Sequence, residues 1–439
     1  MTNSVQSVGE VMPNHECFHW NTLFCGDKAR ASFNACVGDN GAPDIYSYAD
    51  GYADSVMLLI EDLKNNRGTL DTLIYPICFN LRHSVELTIK GQINDLAHLA
   101  RVRKQPLEKA PQFGKILNQH DIQNLWDFFV QNAHDIDRRY SESITSLTPY
   151  IKCITEIDPT GQTFRYSYNT ESIKHLTNTS IINVLVLQEQ FMLIRNELER
   201  LQSITAMMIS EYSTGTFTPH LSRNDLVIIA NQLPARDVWG DKNFKNIKER
   251  LKIEYDIGSK ELSQALKLIQ ETRDMGKVIG ICFAIPGLSI EELVHLSDIW
   301  KSAWDIRVLE NKLRSYINTP ESQPPKAENM MNLLLRERKA KKNTDYAKDL
   351  FVQWITPTRL AGLFTLLDSN YAFSEDYDSQ YSKYLNDFKG MSLNLINFEI
   401  RDCWLRRVGT ANFPALIVNK LKSSGFAEES SFMAETLFS

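Results

Sequence analysis

From Tyr46 onward the chain places its apolar residues with the period of an α-helix. Apolar side chains stand at 52, 56, 59, 60 and 63, one face of a helix that Asn65-Asn66-Arg67-Gly68 ends. A second stripe, Ile74, Ile77, Cys78, Leu81, Val85, Ile89 and Leu96, predicts a helix over 70–99. Pro76 either kinks its first turns or marks its start. His120-Asp-Ile-Gln-Asn-Leu-Trp126 opens a third helix that continues through Phe128, Phe129 and Val130. Residues 154–169 read as a connector, with Asp158-Pro159-Thr160-Gly161 as its turn. A fourth helix is predicted over 172–212, carried by Val184, Leu187, Phe191, Ile194, Leu198, Leu201 and Met208. Its stripe covers about 25 residues, nearly 40 Å, which matches the second helix and lets the two pair antiparallel. Residues 45–212 therefore read as an up-and-down helical bundle.

The flanks differ. Residues 1–44 hold Gly9, Pro13, Gly26, Gly38, Gly41 and Pro43 without a sustained period, and read as an irregular N-terminal arm. Ser213-Thr-Gly-Thr-Phe-Thr-Pro219 is short, polar and rich in breakers, so a domain boundary is expected there, with a second helical domain over 220–439. In that domain Ser222 starts a helix, Asn243–Ile253 forms another, and Ser259 precedes a third. Ser289-Ile-Glu-Glu292 is a capping box, and Thr356-Pro357 sets Pro at a first helical position. Val278–Ala284 is the only β-like run, Thr319–Pro325 reads as an exposed linker, and the last dozen residues read as an acidic tail. The fold class is all-α.

Composition narrows the function. A chain of 439 residues that is 43% hydrophobic is no disordered protein, and its length suits two or three domains. Its net charge of −6 excludes a polyanion binder along the whole chain but permits a local basic patch. There is no basic start followed by an apolar run and no stretch of about 18 apolar residues, so neither a secretory signal nor a membrane span is expected. Together with seven scattered cysteines this points to the cytoplasm. His15, Cys17, His19, Cys25 and Cys36 crowd the N-terminus. Their overlapping H-x-C and C-x-H spacings lack the second close pair of a zinc site, so neither a metal nor a cofactor is expected. G-x-x-x-x-G-K-[ST], G-x-G-x-x-G, H-E-x-x-H and G-x-S-x-G are all missing.

One polar arc carries candidate chemistry. Arg82–Glu86 and Glu86–Lys90 are i, i+4 pairs, and His83 lies beside them. As a site, Arg82 holds a phosphate, His83 moves a proton, Glu86 orients one of them, and His120 faces the same groove as a second proton carrier. As a structural feature, the same arc is a solvated stripe of ion pairs, and both readings stand at this point. Phe164-Arg165-Tyr166 adds aromatic rings beside a cation, a pattern that stacks a base and holds a phosphate. Lys90, Arg165 and Tyr166 are the candidate phosphate and RNA contacts. Residues 244–270 offer a weaker nucleic-acid element: Gly258 precedes what would be the second helix of a helix-turn-helix. Arg336–Lys342 is a basic run on an amphipathic helix.

Tyr48-Ala-Asp-Gly-Tyr-Ala-Asp-Ser55, Leu73-Ile-Tyr-Pro-Ile-Cys-Phe-Asn-Leu-Arg-His-Ser-Val-Glu-Leu-Thr-Ile-Lys90, His120–Trp126 and Phe164-Arg165-Tyr166 together resemble bacterial proteins of the HEPN superfamily over 45–212. The resemblance implies a helical bundle that dimerises, with the groove at the dimer interface. It also implies a prokaryotic defence or toxin-type protein that acts on or senses RNA, including as a metal-independent endoribonuclease. Its usual signature is an Arg followed, after four to six residues, by a His; none of the nine histidines here follows an Arg at that spacing. The resemblance therefore leaves two functions open. Either the chemistry rests on Arg82, His83 and His120, or the bundle is a non-catalytic scaffold subunit with a protein partner in a defence complex. A nucleic-acid-binding regulator is the third reading.

Overall fold

The computed structural model describes residues 23–438, leaving aside 106, 108–112, 169–172, 319–329 and 369–370. Among the described residues every regular element is a helix, and the only β-type pairings are two isolated bridges, Tyr168 with Lys174 and Trp304 with Lys341. The all-α class holds. The chain divides into two compact units, residues 1–209 and 210–439. The division falls in the last turn of a helix, just before the expected boundary at 213–219.

In the first unit, residues 23–44 form an arm with two single 3-10 turns, Ala31–Phe33 and Gly38–Asn40. Helix α1 (Ile45–Lys64) starts where Asp44 accepts a hydrogen bond from the Ser47 amide at 2.7 Å. Helix α2 (Leu70–Val102) follows after a short turn, which lays it antiparallel to α1. Pro76 sits inside α2 rather than at its start. Val56 and Ile60 of α1, Ile77 and Leu81 of α2, and Val184 and Phe191 further on bury one shared apolar cluster.

The later helices depart from expectation. After the single turn α3 (Phe113–Ile116), α4 (Ile122–Ile136) is capped by Asp121, which accepts from the Asn124 amide at 3.0 Å. A helix that the pattern did not predict follows, α5 (Tyr140–Ile157). It buries only Tyr140, Ser143, Leu147 and Ile151, too sparse a stripe to stand out in the sequence. The connector therefore spans 158–183 rather than 154–169. Helix α6 (Val184–Ser213) starts well after Ser172 because the Asn183 carboxamide oxygen caps it, accepting from the Leu185 and Val186 amides at 3.0 and 3.2 Å.

A polar seam ties α1, α2 and α6. Thr205 donates to Gln92 at 2.6 Å, Gln92 donates to the Tyr46 hydroxyl at 2.7 Å, and Tyr46 donates to Asp95 at 2.6 Å. Gly91 makes this approach possible, since a Cβ there would stand 2.6 Å from the Tyr46 ring.

Among the described residues, the second unit shows two apolar cores. Helices α7 (Arg223–Gln232), α8 (Lys242–Glu254), α9 (Ser259–Glu271) and α10 (Arg273–Val278) enclose Leu226, Ile229, Leu251, Leu262 and Ile269. The chain from α11 (Ile290–Ala303) to α19 (Ala427–Phe438) encloses Trp300, Leu309, Phe351, Leu363, Phe413 and Phe426. Ser222, Ser289 and Thr356 cap α7, α11 and the helix beginning at Pro357. Val278–Ala284 forms no strand. The acidic tail is helix α19, which buries Met433 and Leu437 and leaves Glu428 and Glu435 exposed. The linker Thr319–Pro325 lies outside the described residues. No single helix among the described residues is long and apolar enough to cross a membrane.

Candidate functional site

The periodicity of α2 stacks Arg82, Glu86 and Lys90 one turn apart, and the fold closes the connector over them. Glu86 is the hub. One carboxylate oxygen accepts from Lys90 Nζ at 2.8 Å and meets His120 Nδ1 at 2.9 Å. The other accepts from Arg82 and lies 3.7 Å from His83 Nδ1. The sequence-predicted residues Arg82, His83, Glu86, Lys90 and His120 thus meet at one carboxylate. Burial of the Glu86 side chain, 2% exposed, on its own pushes its pKa up. The nearby His83 ring, the hydrogen bond from Lys90, and the charge and hydrogen bond of Arg82 outweigh burial and hold the carboxyl far below its usual range.

Arg82 does not play the expected part. Its side chain is 3% exposed and bonded to the protein itself. Nε donates to the Asp158 carbonyl at 3.1 Å, and Nη2 donates to the Pro159 carbonyl at 2.8 Å and to the His120 carbonyl. The guanidinium is a clasp joining α2 to the entry of α4 and to the 158–161 turn, rather than a grip on phosphate. Asp158 shapes that turn, accepting from the Gln162 and Thr163 amides at 2.9 and 3.1 Å. Gly161 fits there because its φ is +77° and a Cβ would approach Arg82 Nη1 to 3.0 Å. Lys90 is likewise buried on Glu86 and is no open phosphate contact.

The two histidines differ in access. His120 is 68% exposed, and with Nδ1 on Glu86 its Nε2 faces outward. His83 is 23% exposed and enclosed by rings, stacked on Phe79 at 5.5 Å and met edge-on by Tyr52 at 4.6 Å. The Arg165 guanidinium lies 5.4 Å from the centre of the Phe79 ring and 5.2 Å from that of Tyr166, to whose hydroxyl it donates at 3.2 Å. A continuous stack, Tyr166, Arg165, Phe79 and His83, therefore leads from the surface to Glu86. Arg165 and Tyr166 are exposed, as a contact to a ligand requires.

Beside this stack opens a cleft of about 700 Å³, whose lining includes Tyr75, Arg165, Tyr166, Lys174 and His175. His175 Nε2 is buried, with no hydrogen-bond partner among the described residues. The next residue, Leu176, holds a left-handed backbone (φ +56°), a strained conformation that costs about 1–3 kcal/mol and clusters at functional sites. Sequence reasoning missed Phe79, Lys174 and His175. Phe79 stands in the segment 73–90 beside Arg82 and His83, a usable signal, whereas Lys174 and His175 fell inside the fourth helix as predicted, with His175 too far along the chain from Arg165 to pair with it at the expected spacing.

Of the zinc candidates, His15, Cys17 and His19 lie outside the described residues, while Cys25 and Cys36 are exposed. Among the described residues no group of three His, Cys, Asp or Glu is placed to hold a metal ion. No family model, curated protein or solved structure matches this chain.

Proposed function

We propose that the N-terminal unit is a HEPN-like module of a prokaryotic, cytoplasmic defence or toxin-type protein, and that it binds single-stranded RNA and cleaves it without a metal. The observation that carries this reading is the stack from Tyr166 through Arg165 and Phe79 to His83, ending on the carboxylate that His83 and His120 share. Bases stack on the exposed aromatic ring, and Arg165 and Lys174 take the phosphate role that Arg82 cannot. His120 Nε2 removes the proton of a ribose 2′-hydroxyl, and the freed oxygen attacks the adjacent phosphorus. The bond from phosphorus to the 5′-oxygen breaks, and a protonated His83 donates to that leaving oxygen. The products are a 2′,3′-cyclic phosphate and a 5′-hydroxyl. Glu86 holds both imidazoles in place and stabilises whichever one carries the proton. In this reading the module works as a homodimer. Exposed Leu185, Val186, Met192 and Leu193, spaced by a heptad on α6, are the surface for a second copy.

The binding half is tested by fluorescence anisotropy with a labelled single-stranded RNA at several salt concentrations. Arg165→Ala and Tyr166→Ala are each expected to weaken binding by about 5- to 100-fold, since a stacking contact contributes roughly 1–3 kcal/mol. Arg165→Ala also lowers the slope of log affinity against log salt by about one. Unchanged affinity in both variants contradicts the reading.

A second reading is favoured by one observation, the burial of Arg82 and Lys90 among protein partners. Taken as a structural clasp, the whole cluster makes the bundle a non-catalytic scaffold subunit that joins a protein partner in a defence complex. Intact RNA, with the same apolar face of α6 binding a different chain, is its signature.

A further inference from the structure

The second unit carries a polar helix face that the RNA reading leaves unused. Helices α7, α8 and α9 bury one core, through Leu226 and Ile229, Phe244 and Leu251, and Leu262, Ala265 and Ile269. Residues 255–258, which join α8 to α9, form a fixed turn. Asp256 takes a left-handed backbone (φ +51°), the Ile257 amide donates back to the Lys252 carbonyl at 3.0 Å, and the Ile257 side chain is buried in the core. Lys252 Nζ donates across the turn to Ser259 Oγ at 3.3 Å. Three helices on one core, the last two joined by a turn of four residues, are the arrangement of a helix-turn-helix domain. Helix α9 divides by side. Leu262, Ala265, Leu266 and Ile269 are buried, whereas Ser259, Lys260, Ser263, Gln264 and Lys267 are exposed along the other side. Glu261, at the edge, accepts from the Thr218 hydroxyl at 2.6 Å and meets the His220 ring at 2.8 Å. Lys242 and Lys245 add two exposed cations in the first turn of α8. The exposed carboxylates Glu249 and Glu271 each lie beside a lysine, at 2.6 Å from Lys252 and 3.7 Å from Lys267. On a chain of net charge −6 this is a local basic face.

We infer that this face binds duplex DNA, with α9 in the major groove and Lys242 and Lys245 on the backbone phosphates that α8 crosses. The side chains of the free face choose the ligand. Gln264 suits the edge of an adenine and Lys260 and Lys267 suit that of a guanine, while Ser259 and Ser263 are small enough to let the helix approach. Among the described residues α9 exposes no aromatic ring, on which a single strand would stack, and no large aliphatic side chain, which the core of a protein interface would bury. Duplex RNA does not fit, because its major groove is too narrow for side chains to read. The inference stands apart from the RNA reading of the first unit and uses none of its residues.

The test uses the full chain and a fluorescein-labelled DNA duplex of mixed sequence, about two helical turns long, followed by anisotropy over a range of salt concentrations. Binding with a Kd of about 1–100 μM at physiological salt is expected, and log affinity should fall against log salt with a slope of about −2 to −3.5, the value for two to four lysine–phosphate contacts. Lys242→Ala with Lys245→Ala should flatten that slope by about two. Ser263→Glu sets a carboxylate at the middle of the exposed side of α9. It should weaken binding at least tenfold with helicity and unfolding midpoint retained, because Ser263 is exposed. Lys341→Ala with Lys342→Ala removes the same charge from the separate basic run at 336–342 and should change the affinity by less than about twofold. No duplex binding at about 100 μM protein, wild-type binding by Ser263→Glu, or a loss in the Lys341/Lys342 variant equal to that in the Lys242/Lys245 variant overturns the assignment. Duplex RNA bound as tightly as duplex DNA overturns the placement of α9 in a major groove.

Discussion

Glu86→Ala should destabilise the first unit by about 3–5 kcal/mol, the usual cost of removing one partner from a buried ion-pair cluster. The size follows from what is left behind. Arg82 and Lys90 are both buried and both charged, and Glu86 is the side chain that pairs with each of them over 82–90. Glu86→Gln keeps the shape and loses the charge, so its loss should fall between Ala and wild type. The sign of the pH dependence is fixed by the depressed carboxyl. A group whose folded pKa lies below its ordinary value of 4.5 stabilises the fold above that value and loses its contribution as pH falls toward the folded pKa. The stability gap between wild type and Glu86→Gln therefore narrows progressively as pH falls below 4.5. Urea unfolding across pH 3–4.5, below the range in which the neighbouring histidines charge, checks it; a gap that widens over that range contradicts the assignment.

The second large effect belongs to His120. On the cleavage reading, His120→Ala lowers RNA cleavage in the presence of EDTA by roughly 10²- to 10⁴-fold, the range contributed by a positioned proton carrier. His120 is mostly exposed, so the same change should leave the unfolding midpoint nearly unaltered. This contrast separates chemistry from structure. Arg82→Ala removes the clasp between α2, the entry of α4 and the 158–161 turn, and its main effect is loss of stability rather than a selective loss of turnover. His83→Ala should act on rate as His120 does, with some loss of ring packing against Phe79 and Tyr52. Effects of the two histidines should not add, because both act through one carboxylate. Cleavage by His120→Ala at the wild-type rate removes the catalytic proposal and leaves the scaffold reading.

The sequence made the ladder of α2 legible, because i, i+4 spacing alone dictates that Arg82 meets Glu86 and Glu86 meets Lys90. It also brought His120 to the same place, through an apolar stripe that sets the start of α4. Burial was not legible. A polar arc on a helix reads the same whether it faces water or a second segment, and only the tertiary path of Asp158–Gly161 seals Arg82. The acceptors that saturate Arg82 are mostly backbone carbonyls, which carry no sequence signal. Helix α5 was missed because its buried face is a sparse set with Ser143 in its midst, and α6 was extended too far because Asn183, its true cap, looked like an interruption in an apolar run. In the second unit the capping residues Ser222, Ser289 and Thr356 were read correctly, since a cap is a local device.

The account turns on RNA lying along the Tyr166–Arg165–Phe79 stack. Photo-crosslinking of a 5-bromouridine-substituted single-stranded RNA to the full chain, followed by peptide sequencing, measures this directly. Crosslinks at Tyr166, Phe164 or Tyr75, lost in the Arg165→Ala variant, are the predicted result. Crosslinks confined to residues 210–439, or none under conditions in which the RNA is bound, contradict it.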